Sequence, residues 1–293
     1  MRSRHVLPAT VHGIHASLVT PFTRSGAVDE ASLERLAAHC LDNGVDGLVA
    51  LGTTGEAALL APDEERTVLK VCRAVCDDAG APLIVGAGTM GTEDSIRQAR
   101  ERAHFADALL VVVPYYLRPS DDAVADHFAA IGAAVDVPLL PYNIPYRTGK
   151  RLSADTLLKI LALDCVIGMK HCAGGIDTDT LTMLASNPGK AVLCGDDAFI
   201  YPMLRLGAAG GVAACACLAP SAYASMLGGT ADALAMHNKL LPMVDALFSE
   251  PAPAVLKACL AEIGLIDDPA VRAPLRAPRP ESVAAAMKAF QAL

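Results

Sequence analysis

Tryptophan is absent from this sequence of 293 residues, and aromatic residues make up only 4% of it. Because 53% of the residues are nevertheless hydrophobic, the core must be built mainly from Ala, Val, Leu and Ile. An excess of positive charge is also lacking, since the formal net charge is −8 and acids and bases are interspersed. Proteins that bind nucleic acids usually present a basic face. We therefore expect no nucleic-acid partner.

The nine cysteines lack the regular spacing of a disulfide framework. Cys72 and Cys76 lie four residues apart on a predicted helix, and Cys215 and Cys217 are expected on one face of a predicted strand. Neither pair has further metal ligands near it in the sequence. We expect a reduced, cytoplasmic protein without a metal site.

No segment of the sequence has the pattern of a signal peptide or a membrane span. Residues 1–5 lead into no long apolar stretch, so no signal peptide is predicted. Residues 207–231 carry no charge and are numerous enough to span a bilayer, but Ala, Gly, Cys and Ser dominate them and Pro220 lies near their middle. A buried strand followed by a helix explains this segment better. We expect no membrane partner.

Eight short apolar runs alternate with amphipathic stretches over the first 231 residues. Strands that are apolar along their length, each followed by a helix, indicate a parallel sheet covered on its outer face. Eight such units predict an α/β fold, a (β/α)8 TIM barrel, over residues 1–231, with a C-terminal helical region at 232–293. The runs are 16–21, 47–51, 83–86, 108–113, 137–142, 166–169, 191–194 and 211–218, and the helix-like stretches include 29–43, 63–78, 93–103, 121–134 and 153–163.

Lys170 directly follows the sixth apolar run. Substrates of barrel enzymes bind at the carboxyl ends of the strands, where a lysine amine shielded from water is a common nucleophile toward carbonyl groups. The alternative is a lysine that merely ends a strand and extends its amine into water. Tyr142 ends the fifth run and is expected beside Lys170, because consecutive strands are neighbours; alternatively it is a core tyrosine with its hydroxyl satisfied. His171 should point to the opposite face of its strand and pack against a helix.

Other polar segments fall at the same predicted rim. Gly-Thr-Thr-Gly-Glu at 52–56 follows the second run, Tyr115-Tyr116 the fourth, and Gly-Asp-Asp at 195–197 the seventh. The first of these could be a simple turn with a threonine cap, and the last could cap a helix. No His pair or His–acid cluster falls at this rim, which disfavours a metal-dependent aldolase.

The segment 86–91 matches the dinucleotide-binding pattern G-x-G-x-x-G. That function also requires an acid at the end of the next strand, about 20 residues further on. Asp107 has this spacing but begins its predicted strand, at the opposite end of the barrel. We therefore do not expect nicotinamide binding.

Together, these residues resemble the dihydrodipicolinate synthase / N-acetylneuraminate lyase family of class I pyruvate aldolases. The likeness runs from Ile14 nearly to the C-terminus, and its most specific segments are 52–56, 142–149 and Gly-Met-Lys at 168–170 with Gly174. The order Thr-Thr, Tyr-Tyr, Tyr, Arg, Lys and Gly-Asp-Asp is most similar to the dihydrodipicolinate synthase branch.

The resemblance implies that Lys170 attacks the keto carbon of pyruvate and forms a Schiff base, so that no cofactor is needed. An enamine formed from this Schiff base would attack an aldehyde. Tyr142 would transfer protons through a relay that includes Thr54 and Tyr116. Thr53 and Thr54 would hold the pyruvate carboxylate.

The resemblance also bears on assembly and on the second substrate. In the family, the tyrosine that matches Tyr116 enters the site of a neighbouring subunit, so we expect at least a dimer and usually a homotetramer. The backbone carbonyl of Val212 is a further contact of the family type. Arg147 suits an aldehyde that bears a carboxylate, which favours L-aspartate 4-semialdehyde over a sugar as the second substrate. The implied product is 4-hydroxy-tetrahydrodipicolinate, on the route to lysine and diaminopimelate. Alternatively, Arg147 is a surface loop arginine.

Two departures from the family pattern keep other functions open. His171-Cys172-Ala173 replaces the usual Glu-Ala-Thr or Glu-Ala-Ser after the lysine, so a pyruvate aldolase or dehydratase acting on a 2-keto-3-deoxy sugar acid is an alternative. A non-catalytic pyruvate-binding regulatory paralogue is a second alternative, which the intact Lys170, Tyr142 and Thr54 argue against. The second departure concerns lysine feedback, because sensitive members have His, His and Asn at three positions. This chain has Pro62, Glu65 and Met90 there, so weak or no inhibition by lysine is expected.

Overall fold

The computed structural model describes residues 11–186 and 188–293. Eight strands follow one another in chain order around a closed barrel, and the strand pairs run parallel. The predicted (β/α)8 barrel is therefore confirmed. The strands are β1 Gly13–Ser17, β2 Gly47–Ala50, β3 Leu83–Ala87, β4 Ala108–Val112, β5 Leu139–Asn143, β6 Gly168–His171, β7 Ala191–Cys194 and β8 Gly210–Ala213.

Helices alternate with the strands, and further helices follow the barrel. The predicted C-terminal helices are present. The helices are α1 Glu30–Asp42, α2 Pro62–Ala79, α3 Thr92–Arg102, α4 Asp121–Gly132, α5 Pro145–Thr148, α6 Ala154–Leu161, α7 Thr178–Ala185, α8 Ile200–Arg205, α9 Pro220–Ser225, α10 Ala231–Leu247, α11 Ala254–Glu262 and α12 Pro280–Phe290.

Side-chain caps fix where several helices begin. The Asp29, Ser120, Ser153 and Asp177 side chains each accept a hydrogen bond from the backbone N–H three residues on, at the starts of α1, α4, α6 and α7. The starts of α1, α4 and α6 are close to the predicted ones, and the caps set the length of the loops that follow the strands.

The chain divides into two compact units. One contains residues 82–212 together with the described residues before Ile14, and it carries Lys170 and Tyr142. The other contains residues 14–81 and 213–293, and it carries Thr53 and Thr54. In the second unit, α12 packs against α10 and α11. The predicted domain boundary between residues 231 and 232 stays a prediction.

The predictions for the first and last strands were misplaced. The first strand is Gly13–Ser17 rather than 16–21, because the polar residues His12 and His15 hid its start. The last strand ends at Ala213, and Cys215–Cys217 forms a 3-10 turn, so the expected placement of Cys215 and Cys217 on one strand face is wrong. The run of small apolar residues continues past the strand, which made the prediction too long.

All nine cysteines are free thiols, and all except Cys165 are buried. Among residues 11–186 and 188–293, no helix is both long and apolar enough to cross a membrane. The uncharged segment 207–231 instead contains β8, a 3-10 turn and α9. The prediction that residues 1–5 do not begin a signal peptide concerns a segment outside the described residues.

Candidate active site

Lys170 and Tyr142 face each other on adjacent strands. Tyr142 of β5 pairs with Lys170 of β6 in the parallel register, and each residue is only 6% exposed. The Nζ atom of Lys170 lies 4.4 Å from the centroid of the Tyr142 ring. Both residues lie within their strands rather than after them, because β5 and β6 extend to Asn143 and His171. The structure thus brings together the two residues that the sequence placed at the rim, inside a rigid sheet and shielded from water.

Gly195 makes room for the lysine side chain. A Cβ atom at this position would lie 2.5 Å from Cε of Lys170 and would also collide with Sγ of Cys172. The absence of a side chain at Gly195 therefore leaves the space that the side chains of Lys170 and Cys172 occupy beside the end of β7. The sequence placed Gly195 at the rim but gave no sign of this contact.

Cys172 lies against the same pair. It is 1% exposed, and burial raises the pKa of its thiol to about 12, although the nearby Lys170 and a hydrogen bond with the Tyr142 side chain act in the opposite direction. The thiol is therefore neutral near pH 7. It is a neutral, polarisable neighbour of Lys170.

His171 occupies the other face of β6. Its Nε2 lies 2.9 Å from the Thr180 hydroxyl on α7, and its Nδ1 lies 3.2 Å from the Asn143 amide nitrogen on β5. The expected packing against a helix is confirmed. Asn143 is a partner that the sequence did not suggest.

Asp196 does not cap a helix with its side chain, so that alternative is wrong. Its carboxylate accepts hydrogen bonds from the Gly174 N–H at 2.9 Å and from the Tyr146 hydroxyl at 3.1 Å. Asp196 therefore ties together the loops that follow β5, β6 and β7. These loops surround the end of the strand that carries Lys170.

Tyr116 and Arg147 are both exposed. Tyr116 has a positive φ of 66°, donates its N–H to the Thr148 carbonyl at 3.2 Å, and is 83% exposed. Arg147 lies on the short helix α5, and its guanidinium has no hydrogen bond or ion pair with the part of the chain that the structure describes. Both side chains are thus available to a ligand or to another chain.

Thr53 and Thr54 form a tight 3-10 turn after β2. The Thr54 hydroxyl accepts a hydrogen bond of 3.2 Å from the Ser17 hydroxyl of β1. Left-handed residues lie on either side of the turn, Leu51 with φ 54° and Glu56 with φ 53°. Because such conformations are unfavourable for residues with side chains, the surrounding structure must hold this turn in place.

Glu56 anchors this turn through a buried ion pair. Its carboxylate lies 2.9 Å from Nζ of Lys257 on α11, and the two side chains are 1% and 0% exposed. Burial lowers the pKa of Lys257, while the Glu56 carboxylate opposes that shift. Lys257 also donates to the Thr20 carbonyl at 2.8 Å, and the Arg272 N–H donates to Glu56 at 2.8 Å. The sequence signal that we missed is Lys257 itself, a single cation within the apolar face of α11.

Three predictions remain, which concern Val212, Asp107 and a metal site. Val212 lies on β8 with a side chain that is 1% exposed. The Asp107 carboxylate accepts a hydrogen bond of 2.8 Å from the Leu83 N–H at the start of β3, so it is at the end of the barrel opposite a dinucleotide site. Within residues 11–186 and 188–293, no three His, Cys, Asp or Glu side chains are grouped to hold a metal ion.

Comparison with known proteins gives one consistent family. Residues 10–293 match the model of the dihydrodipicolinate synthetase family. The 4-hydroxy-tetrahydrodipicolinate synthase of Syntrophus aciditrophicus is 36% identical over 270 residues, which cover 90% of this chain and 91% of that protein.

Solved structures agree with this match. The chloride-inhibited dihydrodipicolinate synthase of Acinetobacter baumannii, solved with pyruvate, has a TM-score of 0.91 at 32% identity, over 97% of this chain and 99% of that one. The enzyme of Cyanidioschyzon merolae, solved with lysine bound, has a TM-score of 0.90 at 31% identity, over 96% and 97%. The chain therefore belongs to the dihydrodipicolinate synthetase family.

Proposed function

We propose that this chain is a lyase that condenses pyruvate with L-aspartate 4-semialdehyde through a Schiff base on Lys170. The product is 4-hydroxy-tetrahydrodipicolinate, an intermediate on the route to lysine and diaminopimelate. The observation that carries this proposal is the buried amine of Lys170, 4.4 Å from the Tyr142 ring centroid on the next strand. Relatives that share the family and most of the chain length bear the name of this enzyme.

The geometry suits the first chemical steps. The neutral amine of Lys170 attacks the keto carbon of pyruvate, a C–N bond forms, and the former carbonyl oxygen leaves as water. Loss of a methyl proton from the iminium gives an enamine, which is the nucleophile toward the aldehyde. Tyr142 would transfer these protons, with Thr54 and Tyr116 as the proposed relay, and the 4.4 Å distance between its ring centroid and the amine supports this role. Because the protonated imine itself accepts the electron pair, the proposed reaction requires no cofactor.

Substrate binding is assigned on the same basis. Thr53 and Thr54 would hold the pyruvate carboxylate, with the Val212 carbonyl as a further contact. The unpaired, exposed guanidinium of Arg147 would bind the carboxylate of the aldehyde, since a planar guanidinium matches a carboxylate with two hydrogen bonds.

The proposed working unit is a homotetramer in the cytoplasm. The exposed Tyr116 supports the assembly, because a side chain that is 83% exposed is accessible to a second copy of the chain. The nine free thiols support a reducing compartment.

Borohydride trapping with pyruvate tests the nucleophile. Reduction of the imine should leave a stable adduct on Lys170 that peptide mass spectrometry locates, and Lys170→Arg should form none. An unmodified Lys170 in the folded wild-type chain would contradict the aldolase mechanism and favour a non-catalytic paralogue.

A screen of aldehydes with pyruvate tests the second substrate. L-Aspartate 4-semialdehyde should be turned over faster than any sugar-derived aldehyde, and Arg147→Ala should raise the KM for the semialdehyde more than the KM for pyruvate. Faster turnover of a sugar-derived aldehyde would instead favour the aldolase of keto-deoxy sugar acids.

A further inference from the structure

The residues that follow Tyr142 and Lys170 form a second cross-strand pair. Asn143 and His171 are opposite each other in the register of β5 and β6, one step beyond Tyr142 and Lys170. Because successive side chains of a strand point to opposite faces, this second pair lies on the outside of the barrel. Asn143 is 2% exposed and His171 is 3% exposed, so their contact is shielded from water.

The hydrogen bonds around His171 define its protonation. The Thr180 hydroxyl donates its single proton to the Asp177 carboxylate at 2.7 Å, so toward His171 it can only accept. The Nε2 atom of His171 therefore carries a proton and donates to Thr180. A neutral ring then leaves Nδ1 as an acceptor, and the Asn143 amide nitrogen donates to it at 3.2 Å.

This chain of hydrogen bonds ends in a surface anchor. The Asp177 side chain caps α7 and pairs with Arg151 at 3.0 Å. The buried side chain of His171 thus connects β5, β6 and the start of α7. The amide oxygen of Asn143 is buried and has no hydrogen-bond partner within the described residues, so the bond from its nitrogen to His171 is the one that orients this side chain.

We propose that His171 is a positioning residue of the active site, which clamps β5 to β6 through Asn143 and so sets the contact between Tyr142 and Lys170. The inference rests on the proposed Schiff-base function and deepens it. The clamp touches neither the substrate nor the reacting amine. It acts through the backbone of the two strands that carry the proposed proton donor and the nucleophile.

The clamp seen in the structure contains a neutral imidazole. A doubly protonated ring would present an N–H to the amide N–H of Asn143, so the amide would have to turn over and offer its oxygen before the bond between the strands could form again. Burial lowers the pKa of His171, and the carboxylates of Asp177, Asp196 and Asp179 oppose this shift. Arg151 pairs with Asp177 and Asp179 and offsets part of their charge. Lys170 is on the same strand and points to the other face.

Two substitutions of His171 distinguish the effect of its hydrogen bonds from the effect of a buried side chain at this position. A glutamine at position 171 can accept from Asn143 with its oxygen and donate to Thr180 with its nitrogen, whereas a leucine can do neither. We expect the single-turnover rate constant of imine formation with pyruvate to stay within about twofold of wild type in His171→Gln and to fall about tenfold in His171→Leu.

His127 provides the matched control. It is also 3% exposed, and its Nδ1 lies 2.9 Å from a threonine hydroxyl, that of Thr92, but it is on α4 rather than on a strand of the site. His127→Leu removes an equally buried imidazole, so the rate constant of imine formation should change by less than about twofold.

Recovery by glutamine gives a reading that a merely structural role would not supply, since leucine fills the same space without either hydrogen bond. Equal rate constants in His171→Leu and His127→Leu would overturn the clamp, as would a rate constant of His171→Gln as low as that of His171→Leu. If His171→Leu does not fold, His171→Gln alone decides, and a fall of about tenfold in that variant would overturn the clamp. Absence of imine in the wild-type chain would overturn the proposed function and the clamp together, whereas the other contradicting outcomes concern only the clamp.

Discussion

Lys170 can keep its position in the site only if no side-chain atom is added at Gly195. We expect Gly195→Ala to lower the rate of imine formation about a hundredfold, because the new methyl group would displace Cε of Lys170 by up to about 1 Å. Overpacking should also reduce the free energy of unfolding by about 1–3 kcal/mol. Borohydride trapping at several reaction times and urea unfolding measure the two effects.

Gly175 is the control for that substitution. A Cβ atom there would meet nothing within 4 Å, so Gly175→Ala should leave imine formation and stability nearly unchanged. Similar losses in both alanine variants would show that the space around Lys170 is not the cause.

His127 should make stability depend on pH. Burial lowers its pKa from 6.5 to about 4, and its Nε2 is buried without a partner among the described residues. Between these values the unfolded chain binds more protons than the folded one, so the free energy of unfolding is highest above pH 6.5 and falls as the pH drops toward 4. The loss from this residue is at most about 3 kcal/mol. Urea unfolding of His127→Gln should show a weaker fall between about pH 6.5 and about pH 5 than wild type; an unchanged slope would contradict this assignment.

The site residues that could be predicted from the sequence are those whose side-chain chemistry is unusual for their position in the chain. Lys170 is a cation that follows an apolar run, and Tyr142 ends the preceding apolar run, so both could be predicted. Gly195 and Asn143 were not assigned their roles, because these come from contacts with residues distant in the chain. A small residue after a strand and an asparagine before a helix are ordinary features of any barrel loop.

At the scale of elements, α11 supports the turn that carries Thr53 and Thr54. Lys257→Met should reduce the free energy of unfolding by about 3–5 kcal/mol, because it leaves the Glu56 carboxylate buried without its partner. The double variant with Glu56→Gln should be more stable than Lys257→Met alone, since no buried charge remains. Urea unfolding of the single and double variants checks both expectations.

An exposed ion pair provides the comparison. Arg35 and Asp267 lie 2.5 Å apart, but their side chains are 41% and 72% exposed. Arg35→Met should therefore cost less than about 1 kcal/mol. A Lys257→Met variant as stable as Arg35→Met would contradict the role given to the buried pair.

The number and type of the elements could be predicted because strands buried on both faces are apolar along their length. Their ends could not be predicted as well. Tight turns such as Cys215–Cys217 are made of the same small apolar residues as the strand before them. In β1, a buried histidine interrupts the apolar pattern of a true strand.

At the scale of the whole molecule, the proposed tetramer makes Tyr116 a residue of the neighbouring site. Co-expression of Lys170→Ala with Tyr116→Phe should then give more activity than the sum of the two variants alone, because one site of each mixed pair would be free of both changes. Steady-state assays of purified mixed oligomers measure this gain. The control mixture, Lys170→Ala with Tyr142→Phe, should show no gain, since both residues belong to the same chain's site. An equal absence of gain in both mixtures would contradict a shared site.

The expected lack of lysine feedback also belongs to the scale of the whole molecule. Pro62 and Glu65 lie in the first turn of α2, and Met90 is 45% exposed in the loop before α3. None of the three offers the imidazole or amide groups found in lysine-sensitive members. A steady-state titration with lysine should show weak or no inhibition, and strong inhibition would contradict this expectation.

The burial of the cysteines has a practical consequence for the whole molecule. In the native state a thiol-reactive probe would reach Cys165 first, since the remaining eight thiols lie in the interior. The number of labelled thiols therefore measures how much of a molecule has unfolded, and the position of each label identifies the part that has unfolded. Cys172 and Cys194 would report on the strands around Lys170, while Cys40 and Cys259 would report on the unit that carries Thr53. The chain thus contains, without any engineering, a set of internal reporters of local unfolding.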